Sequence, residues 1–259
     1  MTSDIEKLLI EGSKNALTSD LNDLTKPLLV RGVASRKAII KCKSQNRDFY
    51  YMDTGYFGNF VNKENPVGKK IYHRVVKNEL QHISIRPAPE KRWLDLVSND
   101  KRLLFPGWKK EGKNILLIVP NNKSCKFYGE ELSYWLDQTL MSIKTYTNRP
   151  IVIRKKLSRS NRTLIDSIYN ALDRDVFATV VFNSIAAIES INYGIPAFYS
   201  VPCSAGPLGL QDISKINNPF YPDPELIYKQ CCNLANNQFT IDEMKNGYAW
   251  KILNETYIK

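Results

Sequence analysis

The sequence has no long hydrophobic run, only two histidines, five cysteines without a CxxC pair, and none of the common phosphate-loop signatures. Each absence removes a class. No apolar stretch approaches the roughly 20 residues a membrane-spanning helix needs, so stable membrane insertion is not expected. His73 and His82 offer few nitrogen ligands, and no metal is expected. Cys42, Cys125, Cys203, Cys231 and Cys232 are odd in number and lack metal-site spacing. That argues against a disulfide framework and a zinc site, and favours a reducing cytoplasm, the host's if the chain is viral. The opening MTSDIEKLLIEGSKNAL carries acids and no small-residue cleavage site, so it reads as an amphipathic helix and not as a secretion signal. With neither GxxxxGK[ST] nor GxGxxG, a P-loop and a dinucleotide fingerprint are both missing.

What is present is an ordinary globular balance, 43% hydrophobic and 24% charged, with a net charge of +11. The charge is uneven. Residues 1–110 carry +9, from 21 Lys and Arg against 12 Asp and Glu, which leaves +2 for the remainder. Clustered cations are the electrostatic footprint of a polyanion-binding surface, although a basic surface also serves solubility.

The hydrophobic rhythm predicts an α/β protein. After the first helix, Leu28–Val30 reads as a strand, residues 34–44 as a helix and Asp48–Met52 as an aromatic strand, a βαβ unit that implies parallel pairing. Residues 62–70 read as a polar loop, Ile71–Val76 and His82–Ile85 as strands, and Glu90–Val97 as a helix. The charged stretch 99–113 around Pro106-Gly107 is taken as a domain boundary. Apolar strands then alternate with helices: strands at 115–121, 150–154, 176–182 and 197–201, helices at 130–143, 163–172 and 184–193, and closing helices at 226–233 and 241–253. Continuous apolar strands between helices belong to a parallel sheet covered on both faces. The simplest architecture is two Rossmann-like domains in tandem, 1–110 and 111–259, with a cleft between them.

The most informative stretch is VFATVVFNSIAAIESINYGIPAFYSV, residues 176–201. A strand ends at Asn183-Ser184, and either residue can cap the helix that follows, whose N–H groups and dipole suit a diphosphate. Gly194 supplies the helix stop and Pro196 prevents its continuation. The pattern N-S-x4-E-x4-G-x-P resembles the donor-site motif of two-domain GT-B glycosyltransferases, including capsule-type and lipid-linked sugar transferases. The resemblance implies that Ser184 meets the donor phosphates and Glu189 accepts hydrogen bonds from the ribose hydroxyls. Ser190 stands where alanine is commoner in such families. Arg154, Lys155 and Lys156 follow a strand end where they can neutralise a diphosphate leaving group. Asn121, with Asn122 and Lys123, ends the first strand of this half and lines the same edge. The co-substrate is a nucleoside diphosphate sugar, UDP-linked for instance, and no other cofactor is expected.

In the first half Asp53 ends a strand and precedes Thr54-Gly55, so it can serve as the base that deprotonates an acceptor hydroxyl, or be a turn residue. Gly32 permits close backbone approach of a substrate, or is a loop glycine. The basic cluster Arg31, Arg36, Lys37, Lys41, Lys43 and Arg47 brackets the helix before Asp53. Tyr56 stands among the aromatics Tyr50, Tyr51, Phe57 and Phe60, some of which can stack on a base or sugar. The histidines read as structural or surface residues. Asn218-Pro219-Phe220-Tyr221 reads as a proline-containing loop. In size and basic balance the chain resembles phage-type DNA glycosyltransferases, which implies a hydroxymethylated base in double-stranded DNA as acceptor and a monomeric enzyme. An acidic surface or capsule-type glycan, a non-catalytic nucleic-acid-binding protein on the same fold, and a sugar-nucleotide epimerase are the alternatives.

Overall fold

A computed structural model describes residues 4–58, 72–155 and 167–257 of the chain. It is a mixed α/β protein with two four-stranded sheets among the described residues. They gather into two compact units, one of residues 4–58, 72–82 and 234–257, the other of residues 83–155 and 167–233. This division differs from 1–110 and 111–259: the end of the chain joins the first unit, and the stretch 83–110 joins the second.

In the first unit, α1 (Asp4–Gly12) precedes β1 (Leu28–Arg31), a 3-10 turn, α2 (Arg36–Ser44), β2 (Phe49–Thr54) and β3 (His73–Lys77). The chain returns late as β8 (Gln238–Phe239), α9 (Ile241–Lys245) and α10 (Tyr248–Tyr257). Strand order is β1-β2-β3-β8. The β1–α2–β2 crossover gives the expected parallel pair, with Arg31 opposite Met52. β3, however, runs antiparallel to β2, and β8 antiparallel to β3. The sheet is therefore mixed and not the all-parallel Rossmann half expected. An antiparallel neighbour needs no helical crossover, and period-2 patterning alone does not fix strand direction. The expected strand at 82–85 is not formed. Leu9, Leu17, Leu29, Tyr50, Met52 and Val75 share one core with Phe239, Met244, Ala249 and Leu253. Burial of these late apolar residues is what brings the chain back.

In the second unit, α3 (Lys91–Asn99) leads to β4 (Asn114–Val119), α4 (Asn122–Phe127), α5 (Leu132–Tyr146), β5 (Ile151–Lys155), α6 (Ile168–Leu172), β6 (Val176–Val181), α7 (Ala186–Asn192) and β7 (Ala197–Tyr199). α8 (Pro224–Asn236) follows. The order is β5-β4-β6-β7 and every pair is parallel. Alternation along the strands sends Ile115, Leu117, Val180 and Phe182 into one cluster with Trp135 and Ile143 of α5. β6 is buried along its whole length, which explains its unbroken apolar sequence.

Candidate functional site

The strand order of the second unit selects a place for a ligand. The chain lays β5 on one side of β4 and then places β6 on the other, so connections reverse between β4 and β6. In open parallel sheets ligands bind outside the carboxyl ends at such a switch point. The register keeps those ends level, because Ile118 of β4 lies opposite both Arg154 and Val181. Asn121, just past β4, and Asn183-Ser184, just past β6, therefore flank the switch. Lys155, the exposed end of β5, lies on the same edge opposite Val119, and Arg154 beside it is half-buried. Lys156 lies outside the described residues.

Both capping side chains are used locally. Asn121 accepts from the Ser124 N–H at 2.8 Å and so starts α4. The Ser184 hydroxyl accepts from the Ala186 N–H at 3.2 Å, one residue ahead of Ile185, the N-cap of α7. Ala186, Ala187, Ile188 and Ile191 bury one side of α7. Ser190 is fully buried, bonded to the Thr179 hydroxyl of β6 and donating to Ile195 O at 3.1 Å. A residue larger than serine would push α7 off the sheet, and alanine would leave Thr179 without this partner. α7 ends in a Schellman motif: the Gly194 N–H donates to Ile191 O and the Ile195 N–H to Ser190 O. Gly194 has φ 85°, and a Cβ there would overlap the Gly107 carbonyl, so glycine is required twice over.

Glu189 is half-buried in the first turn of α7. Its charge, after burial itself, helps to raise the Tyr169 phenol. Tyr169 packs against Tyr193 with ring centroids 5.4 Å apart and lies under the Arg102 guanidinium at 4.8 Å. Tyr193 donates to Asp173 and carries Lys109 over its ring at 3.7 Å. Burial, then that bond to Asp173, pushes the Tyr193 phenol up to about 12. Tyr169 is thus a neighbour of Glu189, and Arg102, Tyr193 and Lys109 stack on from it toward Asp173, a cluster that sequence reasoning missed. The charged 99–113 stretch reads as a linker, and only tertiary packing turns it into the flank of α7.

An acidic DxD triplet, Asp173-Arg174-Asp175, precedes β6 at the opposite, amino edge of the sheet. Asp175 is ion-paired with Lys113 at 3.7 Å, so the triplet lies away from the carboxyl edge. An open groove at that amino edge is lined by Gly112, Lys113, Arg149 and Asn217, with the Arg149 guanidinium over the Phe177 ring at 3.8 Å. Among the described residues no three His, Cys, Asp or Glu side chains converge as a metal set. All five cysteines are buried and free, and burial pushes the Cys203 thiol up to about 12. The Asn218–Tyr221 stretch is structural: Tyr221 packs edge-on against Trp108 at 5.2 Å, and Trp108 donates to Pro222 O at 3.1 Å.

In the first unit Gly32 and Asp53 follow one another across the carboxyl edge of the β1–β2 pair, where the Gly32 N–H donates to Met52 O at 3.0 Å. Gly32 has φ 71° and ψ 162°, a region essentially confined to glycine, and a Cβ there would face open space. Asp53 accepts from Tyr51 Oη at 2.8 Å, the Thr54 N–H at 2.7 Å and Arg74 Nη2 at 3.3 Å. Arg74 is buried, donates to Leu80 O at 3.2 Å and to Thr54 O, and lies over the Tyr51 and Tyr56 rings. Hydrogen bonds to a charged group are the stronger kind, so these three fix the carboxylate in position.

Tyr56 and Arg47 are both held within the fold. Tyr56 is 1% exposed, with its hydroxyl 3.0 Å from His82 Nδ1 and its N–H donating to Gln238 Oε1, so its ring belongs to the core. Arg47 is consumed in holding a loop, donating to the carbonyls of Asp20, Leu21, Asp23 and Lys26. Arg36, Lys37 and Lys43 are exposed, Arg31 and Lys41 half-buried. Of the histidines, His73 lies buried in β3 and His82 is buried beside Tyr56. Phe60 lies outside the described residues.

No family model and no curated protein matches the chain. Solved structures similar to it include two from Thermosulfurimonas dismutans KpsC. Against the beta Kdo 2,7 transferase the identity is 13%, with 97% of this chain and 90% of that one covered and a TM-score of 0.45. Against the beta Kdo 2,4 transferase it is 10%, with 79% and 78% covered and a TM-score of 0.44.

Proposed function

We propose that the chain is a glycosyltransferase that binds a nucleoside diphosphate sugar at the carboxyl edge of the second unit's sheet. The observation that supports this most is the switch point between β4 and β6. Asn121 stands on one side of it, and Ser184 with Glu189 one turn deeper stands on the other. Arg154 and Lys155 on the adjacent strand supply positive charge for the diphosphate, and Glu189 supplies an acceptor-only group for a vicinal diol. In the reaction the bond from the sugar carbon to the diphosphate oxygen breaks, and a bond to the acceptor oxygen forms. The hydroxyl proton passes to Asp53, whose carboxylate is held in place by hydrogen bonds from Arg74 and Tyr51. No metal is required, the leaving-group charge being met by Arg154 and Lys155.

The acceptor is a hydroxyl on a polyanion bound at the first unit, a hydroxymethylated base in duplex DNA being the member of that class we favour. The test is direct. Calorimetry with nucleoside diphosphates, followed by a screen of UDP-sugars against hydroxymethylated DNA, plain DNA and an acidic oligosaccharide, should show donor binding and transfer to one polyanion. Absence of binding by any nucleoside diphosphate would sink the reading. Activity abolished by a chelator and restored by Mg²⁺ or Mn²⁺ would overturn its metal-free part. The engagement of Asp53 by buried Arg74 favours one rival, a non-catalytic nucleic-acid-binding protein. That rival predicts polyanion binding with no donor affinity.

A further inference from the structure

The outward side of α2 is a single stripe. Arg36, Lys37, Ile40, Lys43 and Ser44 are its exposed residues, at spacings of one helical turn, while Ile39 and Cys42 are buried beneath. Lys41 is half-buried at the stripe's side. None of the ion pairs among the described residues includes Arg36, Lys37, Lys41 or Lys43. The start of the helix is also unusual. Its first turn holds two cations and no acid, and Ser35 at the N-cap makes no capping bond, its hydroxyl donating back to Arg31 O at 3.2 Å. A helix N-terminus carries partial positive charge, so cations there are locally unfavourable and an anion is favoured. Within the described residues the helix lacks a counter-charge where both its dipole and its side chains ask for one.

We propose that this stripe docks on the phosphate backbone of a double-stranded nucleic acid, contacted by Arg36, Lys37, Lys41 and Lys43. Residues 36–43 climb about 10 Å, a length over which a duplex presents about six negative charges. Four cations in that span can neutralise about two-thirds of those charges. An anionic bilayer is the weaker partner. Ile40, 51% exposed, is the stripe's one large apolar side chain, whereas interfacial helices bury a broad apolar side. Arg47 takes no part, because its guanidinium is closed over four carbonyls. The inference rests on the polyanion-acceptor reading for its chemistry, but its test needs no donor, so the two fail separately.

The test is fluorescence anisotropy of the full chain with a labelled duplex of about 20 base pairs, titrated over a range of salt. Four phosphate contacts predict a slope of log affinity on log salt of about −3 to −4. Arg36→Glu/Lys37→Glu should bind at least about ten-fold more weakly, with a melting temperature equal to or above that of the parent, since acids suit a helix start. Lys41→Gln/Lys43→Gln should flatten the slope by about two. Any of three results would overturn the proposal. One is a parent slope shallower than about −1. Another is parental affinity in the folded Arg36→Glu/Lys37→Glu variant. The third is tighter binding to phosphatidylserine vesicles or heparin than to the duplex at the same ionic strength.

Discussion

The Asp53 carboxylate lies 3.3 Å from the guanidinium of Arg74, and of the two it is the arginine that is buried, its side chain 8% exposed against 37% for the aspartate. The pair ties the end of β2 to β3 and fixes a carboxylate at the sheet edge. Asp53→Asn removes the counter-charge of a buried cation that keeps its carbonyl partners, so a loss of about 1–3 kcal/mol in urea unfolding is expected. If Asp53 is the base, the same folded variant should lose about two orders of magnitude in transfer while retaining donor and polyanion binding. Transfer at the parental rate would leave Asp53 a purely structural residue.

Glu189→Ala should weaken nucleoside diphosphate binding by about 1–3 kcal/mol, the loss expected for hydrogen bonds to a charged group. Calorimetry on a variant of parental melting temperature decides it. An unchanged affinity removes Glu189 from the donor site and leaves it a neighbour of Tyr169.

Asp100 should make the second unit acid-sensitive. It accepts from Arg102 Nε at 2.8 Å, Arg102 Nη2 at 2.7 Å and the Arg102 N–H at 3.1 Å. Burial pushes its carboxyl up, but the bonds from Arg102 outweigh that and leave it below 3.8. A folded-state value below the unfolded one stabilises at pH above about 4 and ceases to do so as pH falls through the folded value. Asp100→Asn keeps an N-cap acceptor and loses the ion pair, so it should cost up to about 1 kcal/mol at pH 7, and the difference from the parent should shrink below about pH 4. Urea melts at pH 7 and pH 3 showing a constant difference would contradict this.

Ser190 and Thr179 should behave as a unit. Ser190→Ala alone takes a partner from the buried Thr179 hydroxyl, at a cost of about 1–3 kcal/mol. Thr179→Val/Ser190→Ala removes both polar groups and should cost clearly less than the two single changes together. Strict additivity in a double-mutant cycle would show that the two hydroxyls do not depend on each other.

Arg47→Ala should lower stability by about 2–3 kcal/mol, because carbonyls of the 20–26 loop lose a charged donor. The slope of polyanion affinity on salt should stay as it is. A flattened slope would restore Arg47 to the binding surface.

Local chemistry was legible in the sequence wherever neighbours along the chain decide the outcome. The apolar runs of β4 and β6, the α2 periodicity, the β1–α2–β2 crossover and the Gly194 helix stop all follow from side-chain period and backbone sterics within a few residues. A cluster of cations could also be counted there, but not sorted. Arg47 and Lys43 look alike in sequence, yet one is closed over four carbonyls and the other is exposed, a distinction made by loop packing across more than twenty positions. The same holds for the antiparallel β3, whose direction depends on its partner strand and not on its own residues. It holds too for Tyr56, an apparent stacking platform that the fold buries over His82. The return of Phe239, Met244 and Leu253 to the core of Leu29 and Val75 was likewise decided only in three dimensions. Burial of apolar surface is non-directional: sequence shows which residues must leave water, and tertiary structure alone decides which of them meet.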